Sequence, residues 1–417
     1  METGVVIIGA GEAGARAAVT LRDRGFAGPI TLIGRESHFP YERPPLSKAV
    51  ITAPILPEAP AAILDHRKLA EYAVTFIANA HAEAIDRARR TIVLNGAREI
   101  GYAKLLLATG ASPRRLNVEG GWGDGVLYLR TLSDALTLRG RLQPSSEIVV
   151  VGGGFIGLEI AASAVARGCA VTLVETASRL LMRGVPEAVA ERIAARHRAA
   201  GVMVLTSVTI DAILQRGGRQ VVRLEDGSVL TADLVVIGVG AIPETRLATT
   251  CGLAVDNGIR VDAFLQTDDP NIFAAGDCCS FPHGLYGGRR VRLEAWRNAQ
   301  DQGAAAAANM LGAQTPYDAV PWFWSDQYDE TLQVAGLFDP SCTTVKRNLG
   351  ETASMFFHLD PESRLVAASA VGPNAAIARE IRMAEMLIAR RAHPEPCDLG
   401  NPSFKLKDLL GRVCCGQ

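Results

Sequence analysis

No CxxC pair occurs anywhere in these 417 residues. Iron–sulfur and structural zinc sites commonly draw on such close pairs, so the chain is expected to carry no metal cluster of its own. The eight cysteines form two adjacent doublets, Cys278 with Cys279 and Cys414 with Cys415, and four isolated residues, Cys169, Cys251, Cys342 and Cys397. They read as reduced thiols packed as small apolar side chains, the usage of a cytoplasmic protein. The seven histidines show no metal-ligand spacing. No uninterrupted apolar run reaches the roughly 18 residues that a bilayer span requires. Charge imbalance is missing too. Lys and Arg number 43 against 44 Asp and Glu, a formal net charge of −1, which favours neither nucleic acid nor a membrane surface as partner. The first strand begins near Val5 and leaves no room for a signal peptide, so a cytoplasmic protein is expected. At this length one hydrophobic core does not suffice, and two or three domains follow.

What is present is a repeated nucleotide signature. Val5-Val6-Ile7-Ile8 is a β-branched run suited to a strand buried on both faces. Gly9-Ala10-Gly11-Glu12-Ala13-Gly14 then fits GxGxxG, and residues 15–22 supply an alanine-rich helix. Glycine lets the backbone turn tightly and approach a pyrophosphate. The helix N-terminus offers free N–H groups and the positive end of its dipole. The pattern returns at Glu147–Val151, with Gly152-Gly153-Gly154-Phe155-Ile156-Gly157 and a helix over 158–167.

The second copy is followed by a strand ending in Glu175, 21 residues after Gly154. That spacing suits a carboxylate that accepts hydrogen bonds from an adenosine ribose. A carboxylate there repels a 2′-phosphate, and Thr176-Ala177-Ser178 brings no arginine to bind one, so the second site prefers NAD(H) over NADP(H). The first copy is less regular. Arg35 stands where an acid would serve, and ribose recognition falls to Glu36 or to main-chain groups. Two dinucleotide motifs imply two bound dinucleotides, one held and one exchanged.

Further ordered motifs are PYERPPLSK at 40–48, LLLATGASPR at 105–114, YLRTLSDA at 128–135 and DLVVIGVGAIPET at 233–245. IFAAGDC at 272–278, VRLEAWRNAQDQG at 291–303 and PWFWSDQYD at 321–329 complete the series. Together with the two glycine motifs they cover nearly the whole chain. The set resembles the two-dinucleotide flavoprotein reductases, in particular the FAD-dependent NADH:ferredoxin reductases of bacterial oxygenase systems, the putidaredoxin, rhodocoxin and biphenyl dioxygenase ferredoxin reductase family.

The resemblance implies an α/β, glutathione-reductase-like fold. It has two Rossmann-type dinucleotide-binding domains and a C-terminal α+β interface domain. Residues 1–110 and 241–319 form the FAD-binding domain, 111–240 the inserted NAD-binding domain, and 320–417 the C-terminal domain. In that last part strands are expected at 332–337, 353–359 and 364–372, and a helix at Asn374–Ala389. Residues 54–60 and 394–402 read as loops.

The implied cofactors are FAD and NAD(H). FAD falls on Gly9, Gly11, Ala13 and Gly14, with Arg43 and Lys48 along the flavin and Ala82 at the adenine end. Arg130 and Asp277 are expected on the pyrophosphate and ribityl chain, and the backbone of Trp296 on the isoalloxazine. Physics supports Asp277 separately: an apolar strand runs into Gly276, which permits close approach, and a carboxylate that can accept from a hydroxyl. NADH falls on Gly152, Gly154, Ile156 and Gly157, with Glu175 at its ribose. Lys48 and Glu159 belong to different motifs, yet the resemblance puts both near the flavin–nicotinamide contact. A buried lysine must be paired, so Glu159 is expected as its partner. Trp324 is carried over as the family's tryptophan near the flavin, while Phe323 reads as core.

Flavin-dependent disulfide reductases commonly carry a redox-active cysteine pair in the neighbourhood of 39–48, and oxygen- or peroxide-reducing relatives keep a single cysteine. This chain has neither. Electrons are therefore expected to leave the flavin singly, to a separate [2Fe–2S] ferredoxin feeding an oxygenase, with a rubredoxin-type iron protein as the second choice. Arg289, Arg290, Arg292 and Arg297 form a basic cluster that could steer an acidic partner. Two rival readings remain at this point: an NADH oxidase or monodehydroascorbate-type reductase with a small acceptor, and a nucleotide-binding scaffold like apoptosis-inducing factor. Neither nucleic acid nor membrane is expected as a partner.

Overall fold

The computed structural model describes residues 4–55, 61–182 and 184–414. The chain divides into two compact units. The first comprises Met1–Glu42, Ala59–Ser112 and Ile242–Pro321; the second comprises Arg43–Glu58, Pro113–Ala241 and Trp322–Gln417.

The first unit is built on a parallel sheet ordered Ile272–Ala274, Lys104–Leu107, Val5–Ile8, Ile30–Ile33, Val74–Ile77. Val5–Ile8 is central and buried along its whole length, as its unbroken β-branched run requires. The helix Glu12–Asp23 follows it, buries Ala13, Gly14, Ala15, Ala17, Ala18 and Leu21, and packs on the helix Trp296–Met310. Small side chains allow that approach: a Cβ at Gly303 would lie 2.3 Å from the Ala13 carbonyl oxygen. An antiparallel sheet of Ala82–Asp86, Thr91–Leu94 and Arg98–Gly101 belongs to the same unit.

The second unit repeats the plan with a parallel sheet ordered Met203–Leu205, Ala170–Val174, Glu147–Val151, Leu234–Ile237, Val126–Tyr128. Its C-terminal part is an antiparallel sheet ordered Trp322–Gln327, Glu330–Gly336, Leu365–Gly372, Ser354–Leu359, Thr343–Asn348, with the helix Asn374–Ala389 packed on it. The expected C-terminal strands and helix are thus present, with a further strand at each edge. Of the expected loop at 54–60, residues 56–60 lie outside the described residues. The segment Arg43–Glu58, which carries the PPLSK motif, belongs with the second unit, a placement that no local pattern in it signals.

Among the described residues no helix is long and apolar enough to cross a membrane, and no group of three or more His, Cys, Asp or Glu could hold a metal ion. Cys278 and Cys279 are fully buried, and burial raises both thiols above their ordinary pKa, as inert packing groups. Cys415 lies outside the described residues.

Candidate functional site

In each unit the three motif glycines do different work. Gly9 (φ +113°) and Gly152 (φ +104°) turn the chain in a region that suits glycine, and a Cβ on either would sit 2.0 or 2.4 Å from a backbone oxygen of a neighbouring strand's end. Gly14 and Gly157 let their helices lie close, since a Cβ there would be 1.9 or 2.0 Å from the carbonyl oxygen of the first glycine. Gly11 and Gly154 are each the N-cap residue, and a Cβ on either meets no atom within 4 Å. The helix end therefore opens on unfilled space at the one glycine whose absent side chain clears a path to the N–H groups. A pyrophosphate fits such a cradle in both units. Ile156, expected on the nucleotide, is 47% exposed in the first turn of its helix.

Around the first cradle the fold gathers residues far apart in sequence. The strand Ile272–Ala274 leads to Gly276, which holds φ +81° and lies against Ala13, so that Asp277 follows directly beside the glycine turn. The Gly276 N–H donates to Gln302 Oε1 at 2.8 Å. The Gln302 Nε2 is buried without a partner among the described residues, the kind of donor that a bound polar group satisfies. Trp296 opens the helix that carries Gln302. Burial raises the Glu12 carboxyl above its ordinary pKa, with a hydrogen bond from Gln300 (3.1 Å) and the charge of Arg16 pulling it down. A cleft bordered by Gly9, Arg35, Ala82, Thr109, Glu244 and Arg246 lies beside the cradle, suited to an adenosine. Glu36 accepts from the Tyr41 hydroxyl at 2.6 Å, whereas Arg35 lines the cleft, so the two candidates for ribose recognition are in different surroundings.

Around the second cradle Glu175 is aimed by two main-chain donors. Gly153 N–H reaches Oε2 at 2.7 Å and Ala177 N–H reaches Oε1 at 2.8 Å. The carboxylate thus borders the glycine loop, with lone pairs left for ribose hydroxyls. Arg130 is fixed through its backbone: Asp134 Oδ2 accepts from the N–H groups of Arg130 (3.1 Å) and Thr131 (2.8 Å), and Asp134 N–H donates back to the Thr131 hydroxyl as a capping box. Arg43 Nη1 donates to the Arg130 carbonyl at 2.5 Å.

The expected lysine–glutamate pair forms within the second unit. Lys48 Nζ lies 3.0 Å from Glu159 Oε1, with side-chain exposures of 22% and 5%. The Glu159 carboxylate accepts two further hydrogen bonds from residues the sequence did not flag. Ser47 Oγ donates to Oε2 at 2.5 Å and Ser325 Oγ to Oε1 at 2.6 Å. Trp324 stands beside the pair, its ring 5.5 Å from Lys48 Nζ and its indole N–H on Asp326 Oδ2 at 2.9 Å. Trp322 stacks on it at 5.3 Å. Alternation along Trp322–Gln327 sends Phe323, Ser325 and Gln327 to the other face, where Phe323 meets Phe155 edge-on at 4.8 Å as a core residue. Period-two reading of PWFWSDQYD could have exposed Ser325; nothing local points to Ser47.

Of the basic cluster, Arg290 spends its guanidinium on the carbonyls of Val261 and Ser280, and Arg292 on Glu294, Asn257 and the Asp277 carbonyl. Those two charges are therefore tied into the fold.

Residues 3–303 match the model of the pyridine nucleotide-disulphide oxidoreductases and 322–410 that of the reductase C-terminal domain. The chain belongs to this family of flavin- and NAD(H)-using reductases. It is 41% identical to the ferredoxin–NAD(+) reductase component of the anthranilate 1,2-dioxygenase system of Burkholderia cepacia, over 97% of this chain and 98% of that protein. Identity to a rubredoxin–NAD(+) reductase of Pseudomonas putida is 40%, over 88% of this chain and 95% of that protein. Among solved structures it superposes on the reductase of a covalent putidaredoxin reductase–putidaredoxin complex with TM-score 0.93, at 36% identity and 99% of both chains. A water-forming NADH oxidase from Lactobacillus brevis shares the fold at 18% identity.

Proposed function

We propose that this chain is an NADH-dependent ferredoxin reductase that holds FAD in its first unit and delivers single electrons to a small [2Fe–2S] ferredoxin serving an oxygenase. The observation that carries this reading is the whole-length likeness to ferredoxin–NAD(+) reductases, joined to a PPLSK segment whose serine stands hydrogen-bonded to Glu159 with no thiol beside it. Bound FAD supplies what the side chains cannot: uptake of two electrons together from a nicotinamide and their release one at a time.

The chain's own residues bind and orient. Gly9, Gly11 and Gly14, with Ala13, Asp277 and Trp296, hold the flavin nucleotide, and Arg35 and Ala82 border its adenosine. Gly152, Gly154, Ile156 and Gly157 receive the NADH pyrophosphate, and Glu175 accepts its ribose hydroxyls. Glu159 lies one turn into the helix that follows this cradle; Lys48 and Glu159 meet the nicotinamide end and fix its carboxamide, with the Trp324 ring beside Lys48.

The test is NADH-driven cytochrome c reduction with the FAD-loaded protein. Rapid turnover that depends on an added [2Fe–2S] ferredoxin supports the reading. Equal turnover with rubredoxin widens the acceptor class. Turnover with oxygen alone moves the protein to the oxidases, and a long-lived reduced complex with no acceptor moves it to the scaffolds.

A further inference from the structure

Glu159 stands at the inner end of a continuous hydrogen-bonded chain that runs through the second unit. Ser325 Oγ donates to its Oε1 at 2.6 Å, and Gln327 Nε2 donates to Ser325 Oγ at 3.1 Å. His197 Nε2 meets Gln327 Oε1 at 2.8 Å, and the Tyr328 hydroxyl meets His197 Nδ1 at 3.0 Å. Ser325, Gln327 and His197 are all buried, His197 completely.

The charge on Glu159 dictates the sense of every link. A carboxylate only accepts, so the Ser325 hydrogen points to it and the Ser325 oxygen must accept from the Gln327 amide nitrogen. That orients the amide and turns its carbonyl oxygen to His197, which must then carry its proton on Nε2. Nδ1 is left as an acceptor, and Tyr328 donates to it. One ionised group thus sets the tautomer of a histidine three hydrogen bonds away. Burial, reinforced by the charge of Arg196, lowers the His197 pKa and keeps the imidazole neutral, as this arrangement needs. An amide in the middle of the chain passes a proton only through a high-energy imidic acid form, so the chain orients rather than conducts.

Backbone strain supports the same assignment. Tyr328 holds φ +57°, a conformation that an aromatic residue adopts rarely and at a cost. It occupies the two-residue turn of the hairpin formed by Trp322–Gln327 and Glu330–Gly336, where glycine, asparagine or aspartate is usual. The ring is clamped under the Arg196 guanidinium at 4.3 Å and edge-on to His197 at 5.1 Å, while Arg196 also reaches Asp329 beside it. The helix Glu187–Ala199 therefore pins the hairpin that supplies Ser325, Trp324 and Asp326.

We propose that Ser325, Gln327, His197 and Tyr328 are positioning residues: they act through Glu159, holding its carboxylate, and through it Lys48, in the geometry that receives the nicotinamide. This rests on the role given to Lys48 and Glu159 above.

The test is anaerobic stopped-flow reduction of the FAD-loaded protein by saturating NADH. Ser325→Ala and Gln327→Leu are expected to lower the limiting rate constant by about tenfold, with Ser325→Thr restoring most of it. In a Glu159→Gln background, Ser325→Ala is expected to add little, because the two substitutions remove the same thing. If Glu159→Gln slows reduction while Ser325→Ala and Gln327→Leu do not, the chain has no positioning role and the assignment of Glu159 survives. If the loss from Ser325→Ala is as large in the Glu159→Gln background as without it, or Ser325→Thr fails to restore the rate, the effect is general packing and the proposal falls. An unchanged rate in Glu159→Gln overturns both.

Discussion

Lys48 and Glu159, 111 positions apart in the sequence, meet at 3.0 Å inside the second unit, and the carboxylate also accepts from two serine hydroxyls. Three donors on one buried carboxylate leave it little freedom to turn. Removing one partner of such a pair leaves a charge uncompensated, at a cost of about 3 kcal/mol. Lys48→Met is therefore expected to lower the thermal midpoint of the second unit and to slow NADH reduction, whereas Lys48→Arg loses rate with less loss of stability. Calorimetry alongside stopped flow separates the two effects.

Glycine substitutions separate folding from cofactor binding. Gly11→Ala places a methyl group where the protein has no atom, so the apoprotein should keep its circular dichroism and melting behaviour while FAD affinity falls at least tenfold. Gly14→Ala drives a Cβ to within 1.9 Å of the Gly9 carbonyl oxygen and should destabilise the apoprotein itself. Fluorescence titration of the apoprotein with FAD, paired with its thermal melt, reads both.

Nicotinamide choice should follow Glu175. Its carboxylate is held by the Gly153 and Ala177 N–H groups, so Glu175→Gln preserves one acceptor oxygen and weakens NADH by roughly tenfold. Glu175→Arg should raise the preference for NADPH. The ratio of kcat/KM values for the two nucleotides is the measurement.

The pH dependence of stability has a definite sign. His358 is buried, and burial pushes its pKa down to about 4. The unfolded chain binds a proton near the ordinary histidine value of about 6.5. Between those values the unfolded state holds more protons, so stability falls as pH drops from about 6.5 towards 4 and is fully present above. The loss from this residue is about 3 kcal/mol, shared in kind by His197 and His283, whose pKa values burial also lowers. His358→Phe, which keeps a ring against Phe338, should flatten the fall in melting temperature between pH 7 and 4.5.

Legibility in the sequence tracked how local each feature is. Both glycine turns, their helices and the Glu175 position follow from spacing along one βαβ unit, and Asn374–Ala389 follows from its own periodicity. The pairing of Lys48 with Glu159 was reachable through the family resemblance, which puts both near the flavin–nicotinamide contact although they lie in different motifs. Ser47, Ser325, Gln327 and His197 were not, since serine and glutamine carry no signature and their bonds join positions 112, 166 and 130 residues apart, apart from the short Gln327–Ser325 link. That the guanidiniums of Arg290 and Arg292 also bond main-chain carbonyls was not legible, because a charge count does not reveal a side chain's partners.

The most direct test of the central claim is the electron count. Under anaerobic conditions, with FAD-loaded protein in catalytic amount, each NADH consumed should reduce two equivalents of an added [2Fe–2S] ferredoxin, read from its visible absorbance. NADH oxidation that leaves the ferredoxin oxidised, or that proceeds only when oxygen or a disulfide is supplied, would contradict it.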